Sequence, residues 1–400
     1  MRTNKKYFLS FVVLCLCISV MAQPSKTKTG LLQIIDSALQ KAVVQYKYMQ
    51  ANLPAGTFPK SYYPLTKKFE TSNSTWWCSG FYPGSLLYLY EYSHDQSLWD
   101  EAARMEKLQE KEQFNKGTHD LGFMMYCSFG NATRIHPSKE DDEILLNSAK
   151  SLSTRFNPTA GVIRSWDHGK WKYPVIIDNM MNLELLFWAT KYTGDSSFYK
   201  IAVTHANTTM KNHYRPDNSS YHVVDYDITN GTVIAKQTAQ GYADYSAWAR
   251  GQAWGLYGFV VMYRCTKDPK YLAQANKIAA FIMHNKNLPA DKIPYWDYDS
   301  PDIPATYRDA SAGAIAASAL IELSKYAKDK SEAYLNFAEQ TIRALSTRTY
   351  TAPYGENGGF ILKHSTGSLP GSSEVDVPLT YADYYYIEAM MRYKALKGKK

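Results

Sequence analysis

Two aspartates are placed to do chemistry. Asp120 follows His119 and precedes a nearly uncharged stretch, 121–133. Asp178 precedes another, 179–190. Arg308-Asp309 opens a third such stretch and Asp383 stands near the start of a fourth. Arg250 and Trp254 lie four apart in the first turns of a fifth, which puts them on one helix face. Tryptophans gather at glycine-bearing edges, Trp76-Trp77 in WWCSGFYPG and Trp166 and Trp171 in SWDHGKW. Carboxylates are general acids and bases. A guanidinium can grip a carboxylate at two points. An indole face suits the apolar C–H face of a sugar ring. His222 and Gln240 add polar groups nearby. Each residue also has a structural reading: Asp120 and Asp178 as helix N-caps, Asp309 and Asp383 as caps or network residues, Arg250 as half of an ion pair, a helical Trp as core. What capping does not require is two acids, a histidine and an arginine converging among aromatics. That set is the kit for glycoside chemistry.

Other chemistries lack their signatures. The chain has no P-loop, GxGxxG, HExxH or GxSxG sequence. Metal-ligand spacing of Cys and His is missing too. No cofactor and no metal are expected.

The elements that must hold these residues come in two kinds. Amphipathic, charged segments run over about 31–53, 97–114, 139–156, 196–213, 269–286 and 331–347, with apolar residues at three-to-four spacing. Segments rich in Gly, Ala and aromatics run over 81–92, 121–133, 179–190, 246–263, 310–323 and 381–393, and a helix apolar all round is a buried one. Strict alternation predicts six pairs, an inner ring wrapped by an outer one: an all-α (α/α)6 toroid, which grows by repetition beyond the size of a simple core. The polar N-terminal edges of the inner helices then share one mouth. YHVVDYDITNGTVIA, with its Asn-Gly turn, predicts a small β-hairpin insertion. The stretches 287–307 and 350–378 read as long functional loops.

Composition narrows the class. The chain has 400 residues, 45% hydrophobic and 20% charged, so it is neither disordered nor fibrous. The formal charge is +8, with scattered bases and no nucleic-acid-binding stripe. Arg2, Lys5 and Lys6, the apolar run 8–21 and Val20–Ala22 make an export signal expected to end at Ala22. The remainder, 23–400, reads as one catalytic domain with no membrane segment, placed by analogy in a periplasm. Cys78, Cys127 and Cys265 are expected to be buried free thiols. The 33 tyrosines are unusually many. Oligomeric state has no sequence signal.

Five blocks carry a resemblance: HDLGFMMY (119–126), IDNMMNLELLFWA (177–189), WARGQAWGLYGF (248–259), RDASAGAIAASALIEL (308–323) and VDVPLTYADYYYIEAM (375–390). They resemble glycoside hydrolase family 88, the unsaturated glucuronyl hydrolases, from about Trp77 to Arg392. The resemblance implies an (α/α)6 barrel. It also implies a partner, an oligosaccharide ending in the Δ4,5-unsaturated uronic acid that polysaccharide lyases leave, with glycosaminoglycan disaccharides foremost. The implied reaction hydrates the C4=C5 vinyl ether. Asp178 resembles the acid/base and Asp120 the second essential acid. Trp77, His119, Trp166, His222, Gln240, Arg250 and Trp254 fall where the family holds substrate. Cys78-Ser79 stands where relatives often have a polar or acidic pair, which bears on specificity. The loop 363–373 lies where relatives sense sulfate or the next sugar. Rival readings are an unsaturated rhamnogalacturonyl hydrolase on pectin fragments, an inverting glycosidase, a sugar epimerase on the same fold, and a sugar-binding protein.

Overall fold

The structure, a computed structural model, describes residues 30–398. The expected export signal lies outside the described residues. Twelve α-helices are seen among them: α1 (Leu31–Asn52), α2 (Phe81–Ser93), α3 (Gln96–Gln109), α4 (Phe129–Ile135), α5 (Lys139–Ser153), α6 (Leu183–Thr193), α7 (Ser196–Asn212), α8 (Ala249–Thr266), α9 (Pro269–His284), α10 (Ala310–Leu323), α11 (Ser331–Leu345) and α12 (Thr380–Lys397). Odd-numbered helices form the outer ring and even-numbered ones the inner ring, as the alternation of the sequence predicts. Every residue of α10 is buried. In α11, by contrast, only one stripe is. α12 packs against both α10 and α2, which closes the ring.

One local device repeats around the ring. Three inner helices end on a residue in the left-handed region, His94 (φ 57°), Gly194 (φ 77°) and Lys267 (φ 59°). The next residue is an aspartate that caps the following outer helix. Asp95 accepts from Ser97 N–H, Asp195 from Ser197 N–H and Asp268 from Lys270 N–H. The left-handed residue stops one helix and the Asx cap starts the next, so the chain reverses in two residues.

The inner helices are less regular on the side where their N-termini gather. The second opens as a π-helical turn, Gly122–Tyr126, before α4. The third opens as a 3-10 turn, Ile177–Asn182, before α6. These two openings touch. A Cβ on Gly122 would lie 2.5 Å from Asn182 Cα. Asn182 Oδ1 accepts from Phe123 N–H at 2.9 Å. Only glycine permits that approach, and it bends both segments as they reach the mouth.

Short antiparallel strands decorate the rim: β1 (Phe58–Tyr63) with β2 (Lys68–Ser72), β3 (Phe156–Asn157) with β4 (Val162–Ile163), β5 (Pro174–Ile176) with β6 (Val223–Tyr226) and β7 (Val233–Gln237), and β8 (Ser365–Ser368) with β9 (Ser373–Val377). The expected hairpin is β6–β7. The sequence pattern does not reveal its third strand, β5, or the other three pairs. Those are two to six residues long, two carry register shifts, and STGS and SEVDV have no apolar alternation. The stretch 350–378, read as loop, therefore contains a hairpin. Cys78 is buried and Cys127 half-buried, but Cys265, expected inside, is exposed near the end of α8.

Candidate active site

The pairing of β5 with β6 builds the centre of the site. Ile176 faces Val223, and Ile177 N–H donates to His222 O at 3.1 Å. Asp178 therefore leaves β5 beside His222. Its carboxylate caps no helix. Oδ2 is buried with no hydrogen-bond partner, and His222 Nε2 lies 3.8 Å from it. The indole N–H of Trp254 also points toward this carboxylate, short of a full hydrogen bond. Burial drives the Asp178 pKa up to about 7 from an ordinary 3.8; Arg250 pulls it down and the Asp120 charge pushes it up.

His222 has a defined tautomer. Its Nδ1 accepts from the backbone N–H groups of Ala239 and Gln240, both at 3.1 Å. The ring proton is therefore on Nε2, the atom facing Asp178. Burial lowers the His222 pKa to about 3, with Arg250 and His119 adding to the effect. The ring packs on Trp248 at 4.6 Å.

Asp120 is the less buried acid. Its Oδ2 accepts from the Thr118 hydroxyl at 2.9 Å, and His119 Nε2 lies 3.3 Å from Oδ1. His119 is itself buried, which lowers its pKa, while Asp120 raises it. Neither Asp120 nor Asp178 is consumed as a cap. Asp309 is, capping α10 through Ser311 N–H, whereas Asp383 is a network residue inside α12 that accepts from Ile361 and Leu362 N–H at 2.8 Å each.

Arg250 is bound differently from the open two-point grip its position suggests. Nη1 donates to Asp309 Oδ2 at 2.9 Å and to Thr366 O at 2.6 Å; Nη2 donates to Gly367 O at 2.5 Å. Its guanidinium lies between the rings of Trp248 and Tyr381. Gln240 Nε2 also donates to Gly367 O, at 3.1 Å. The stretch 363–373 thus clasps Arg250 and Gln240 through the carbonyls of β8. Its charged residues point elsewhere: Lys363 bonds Arg348 O and His364 pairs with Asp376.

A cavity of about 300 Å³ joins these residues. Trp77, His119, Asp120, Trp166, Asp178, Gln240 and Arg250 all line it. His222 and Trp254 stand outside that lining, beside the Asp178 carboxylate. Trp77 leans on Phe81, Phe123 and Tyr381. Trp166 stacks on His168 at 5.7 Å. Cys78 and Ser79 are buried and do not line the cavity, and Ser79 Oγ instead accepts from Gln109. Thr118, Ser165 and His168, which the sequence does not mark, and Trp76, which it marks without assigning to substrate, also line the cavity. Trp76 was visible as half of a Trp-Trp pair. The others had no signal beyond adjacency.

A larger cavity, about 600 Å³, includes Tyr257, Glu184, Arg264, Glu388 and Arg392. Its charges neutralise one another. Arg264 pairs with Glu184 at 2.7 Å, Arg392 with Glu322 at 3.1 Å and with Glu388 at 3.2 Å. Size does not make it the reactive site, because Glu184 and Glu388 are held in ion pairs and Asp142 accepts from the Thr133 hydroxyl. Among the described residues no cluster of His, Cys, Asp and Glu could hold a metal ion.

A toroid with an unpaired, elevated carboxyl in an aromatic cavity is the arrangement of a glycosidase. Known proteins make the class specific. No family model matches the chain. An unsaturated glucuronyl hydrolase of Formosa agariphila is 46% identical over 346 residues, 85% of this chain and 86% of that protein. An unsaturated chondroitin disaccharide hydrolase of Streptococcus pneumoniae is 32% identical over 379 residues, 92% and 93% of the two chains. A solved unsaturated glucuronyl hydrolase specific for heparin superposes with a TM-score of 0.89 at 48% identity, over 92% of this chain and 98% of that one. The chain belongs to the unsaturated glucuronyl hydrolases, glycoside hydrolase family 88.

Proposed function

We propose that the protein removes the Δ4,5-unsaturated uronic acid from the non-reducing end of lyase products, with heparin-type disaccharides as substrate. The observation that carries this reading is the Asp178 carboxyl, raised to about 7 by burial. Such a group is substantially protonated at neutral pH and can deliver its proton to carbon.

In the proposed reaction Asp178 protonates C4 and positive charge develops at C5 and the ring oxygen. The resulting carboxylate then takes a proton from water as that water bonds to C5. The product is a hemiketal. Its C5–O5 bond opens to a ketone, and the hemiacetal left at C1 expels the aglycone. One water is consumed and no redox partner is needed. Asp120 polarises and positions. His222, neutral with its proton on Nε2, faces the Asp178 carboxylate from 3.8 Å. The tryptophans Trp77 and Trp166 provide sugar-facing walls, and His119, Gln240, Arg250 and Trp254 complete the cavity and its support. The similarity to a heparin-specific enzyme at 48% identity, against 32% to a chondroitin enzyme, favours a heparin-type substrate. The basic start, apolar run and small-residue end of 1–22 support export to a periplasm.

The test is the ultraviolet absorbance of the conjugated double bond in an unsaturated heparin disaccharide. The protein should erase it, and Asp178→Asn should slow that loss by about 10²–10⁴-fold. Deuterium from heavy water should appear at C4. Release of sugar from a saturated glycoside with the unsaturated disaccharide untouched would overturn the reading.

A further inference from the structure

We propose that Asp309 is a positioning residue for this reaction: acting through Arg250, it sets the charge that Asp178 feels and fastens the β8–β9 hairpin to the rim. The proposal rests on the reading of Asp178 as the acid.

Arg250 and Asp309 are 1% and 0% exposed. Asp309 is the carboxylate in direct contact with the guanidinium, at 2.9 Å. Its orientation is fixed from both sides. The other oxygen, Oδ1, takes Ser311 N–H at 3.0 Å and the Ser311 hydroxyl at 2.5 Å. Its own N–H donates to Pro294 O. Asp309 cannot swing away from Arg250 without uncapping α10. Arg250 in turn donates to the Thr366 and Gly367 carbonyls of β8, and the Gly367 carbonyl also accepts from Gln240. One buried carboxylate therefore ties an inner helix, a rim hairpin and the cavity wall together.

The charges around the pair make this more than support. Arg250 is faced by Asp309 from α10, Asp178 from the 3-10 turn, Glu374 from β9 and the neutral hydroxyl of Tyr381 from α12. Asp178 is faced by Arg250, Asp120 and neutral His222, with His119 next to Asp120. A buried cation demands compensation. With Asp309 uncharged, Asp178 and Glu374 would supply it. The ionised form of Asp178 gains, and the acid loses its proton at lower pH.

Two substitutions test this, each keeping a cap acceptor while removing the charge: Asp309→Asn and Asp309→Ser. In whichever folds, the alkaline limb of kcat/KM should move to lower pH by about 0.5–1 unit, and KM should rise several-fold as the hairpin loosens. Asp309→Glu, which keeps the charge, should restore the limb. Ser311→Ala removes the hydroxyl bond on the carboxylate's far side, keeps the backbone one and leaves the charge unchanged; it should lower Tm and leave the limb in place. A native-like neutral variant with an unmoved limb, or an equal limb shift in Ser311→Ala, overturns the proposal. The two readings fail separately. Full activity in Asp178→Asn would remove the acid assignment itself, whereas an inactive Asp178→Asn with an unmoved Asp309→Asn limb removes only the role given to Asp309.

Discussion

His222 turns its protonated Nε2 to within 3.8 Å of Asp178 Oδ2 while its Nδ1 is held by two backbone N–H groups. The acid is thus faced by a neutral donor just beyond hydrogen-bond distance. His222→Phe keeps a planar aromatic ring and removes both functions. It strands the N–H groups of Ala239 and Gln240, at a cost of about 1–3 kcal/mol each if they stay buried. The expected result is a lower Tm together with a loss of about 10–100-fold in kcat, measured by thermal unfolding and the absorbance assay.

The pH dependence follows from the direction of the Asp178 shift. Activity needs the protonated form, so kcat/KM should be level below about pH 6 and fall as pH rises through about 7. Stability carries the opposite sign to the usual carboxylate. A folded pKa above the ordinary 3.8 means that ionisation opposes folding. That penalty is absent below about 4, grows up to about 7 and is then constant. Asp178→Asn should therefore unfold at a higher temperature than the parent at pH 8, with the difference vanishing at pH 4. Differential scanning calorimetry at the two pH values checks this.

Trp76 lines the cavity yet is 42% exposed, with Lys60 Nζ 4.6 Å from its ring centroid. A partly open indole at a cavity edge suits contact with the departing sugar rather than the reacting one. Trp76→Ala should raise KM about 5- to 30-fold, the worth of one to two kcal/mol of stacking, with kcat nearly unchanged. An unchanged KM would remove Trp76 from the binding surface.

Glu388 provides the contrast in the larger cavity. It accepts from the hydroxyls of Tyr88, Tyr257 and Ser318 and pairs with Arg392. Glu388→Gln weakens this buried network and should cost about 3 kcal/mol of stability. KM and the pH profile of the remaining folded protein should match the parent. A shifted profile would show that the two cavities communicate.

The fold was legible because the period of the sequence separates two kinds of helix. α10 has no charge until Glu322, and α11 has one buried stripe. Such contrast survives without knowledge of any contact. The site was legible for the same reason: Asp120 and Asp178 are conspicuous against apolar surroundings. What stayed hidden depends on long-range pairing. Thr366 and Gly367 hold Arg250 through carbonyl oxygens, which every residue possesses, so no side chain announces them. β5 is three residues long and finds its register only against β6. Cys265 is apolar by type, but sits where α8 runs out into solvent.

The ring has one further consequence. Trp77, Asp178 and Arg250 line one cavity, and Arg250 is held there by the Gly367 carbonyl, almost 300 residues beyond Trp77. α12, the final described helix, closes the circle by docking on α2. An amino-terminal portion that stops short of Asp309, Thr366 and Gly367 lacks the groups that hold Arg250 in the cavity wall. Turnover therefore reports on circularisation: a nascent or nicked chain should be silent until its last helix is seated, and then become competent in a single step.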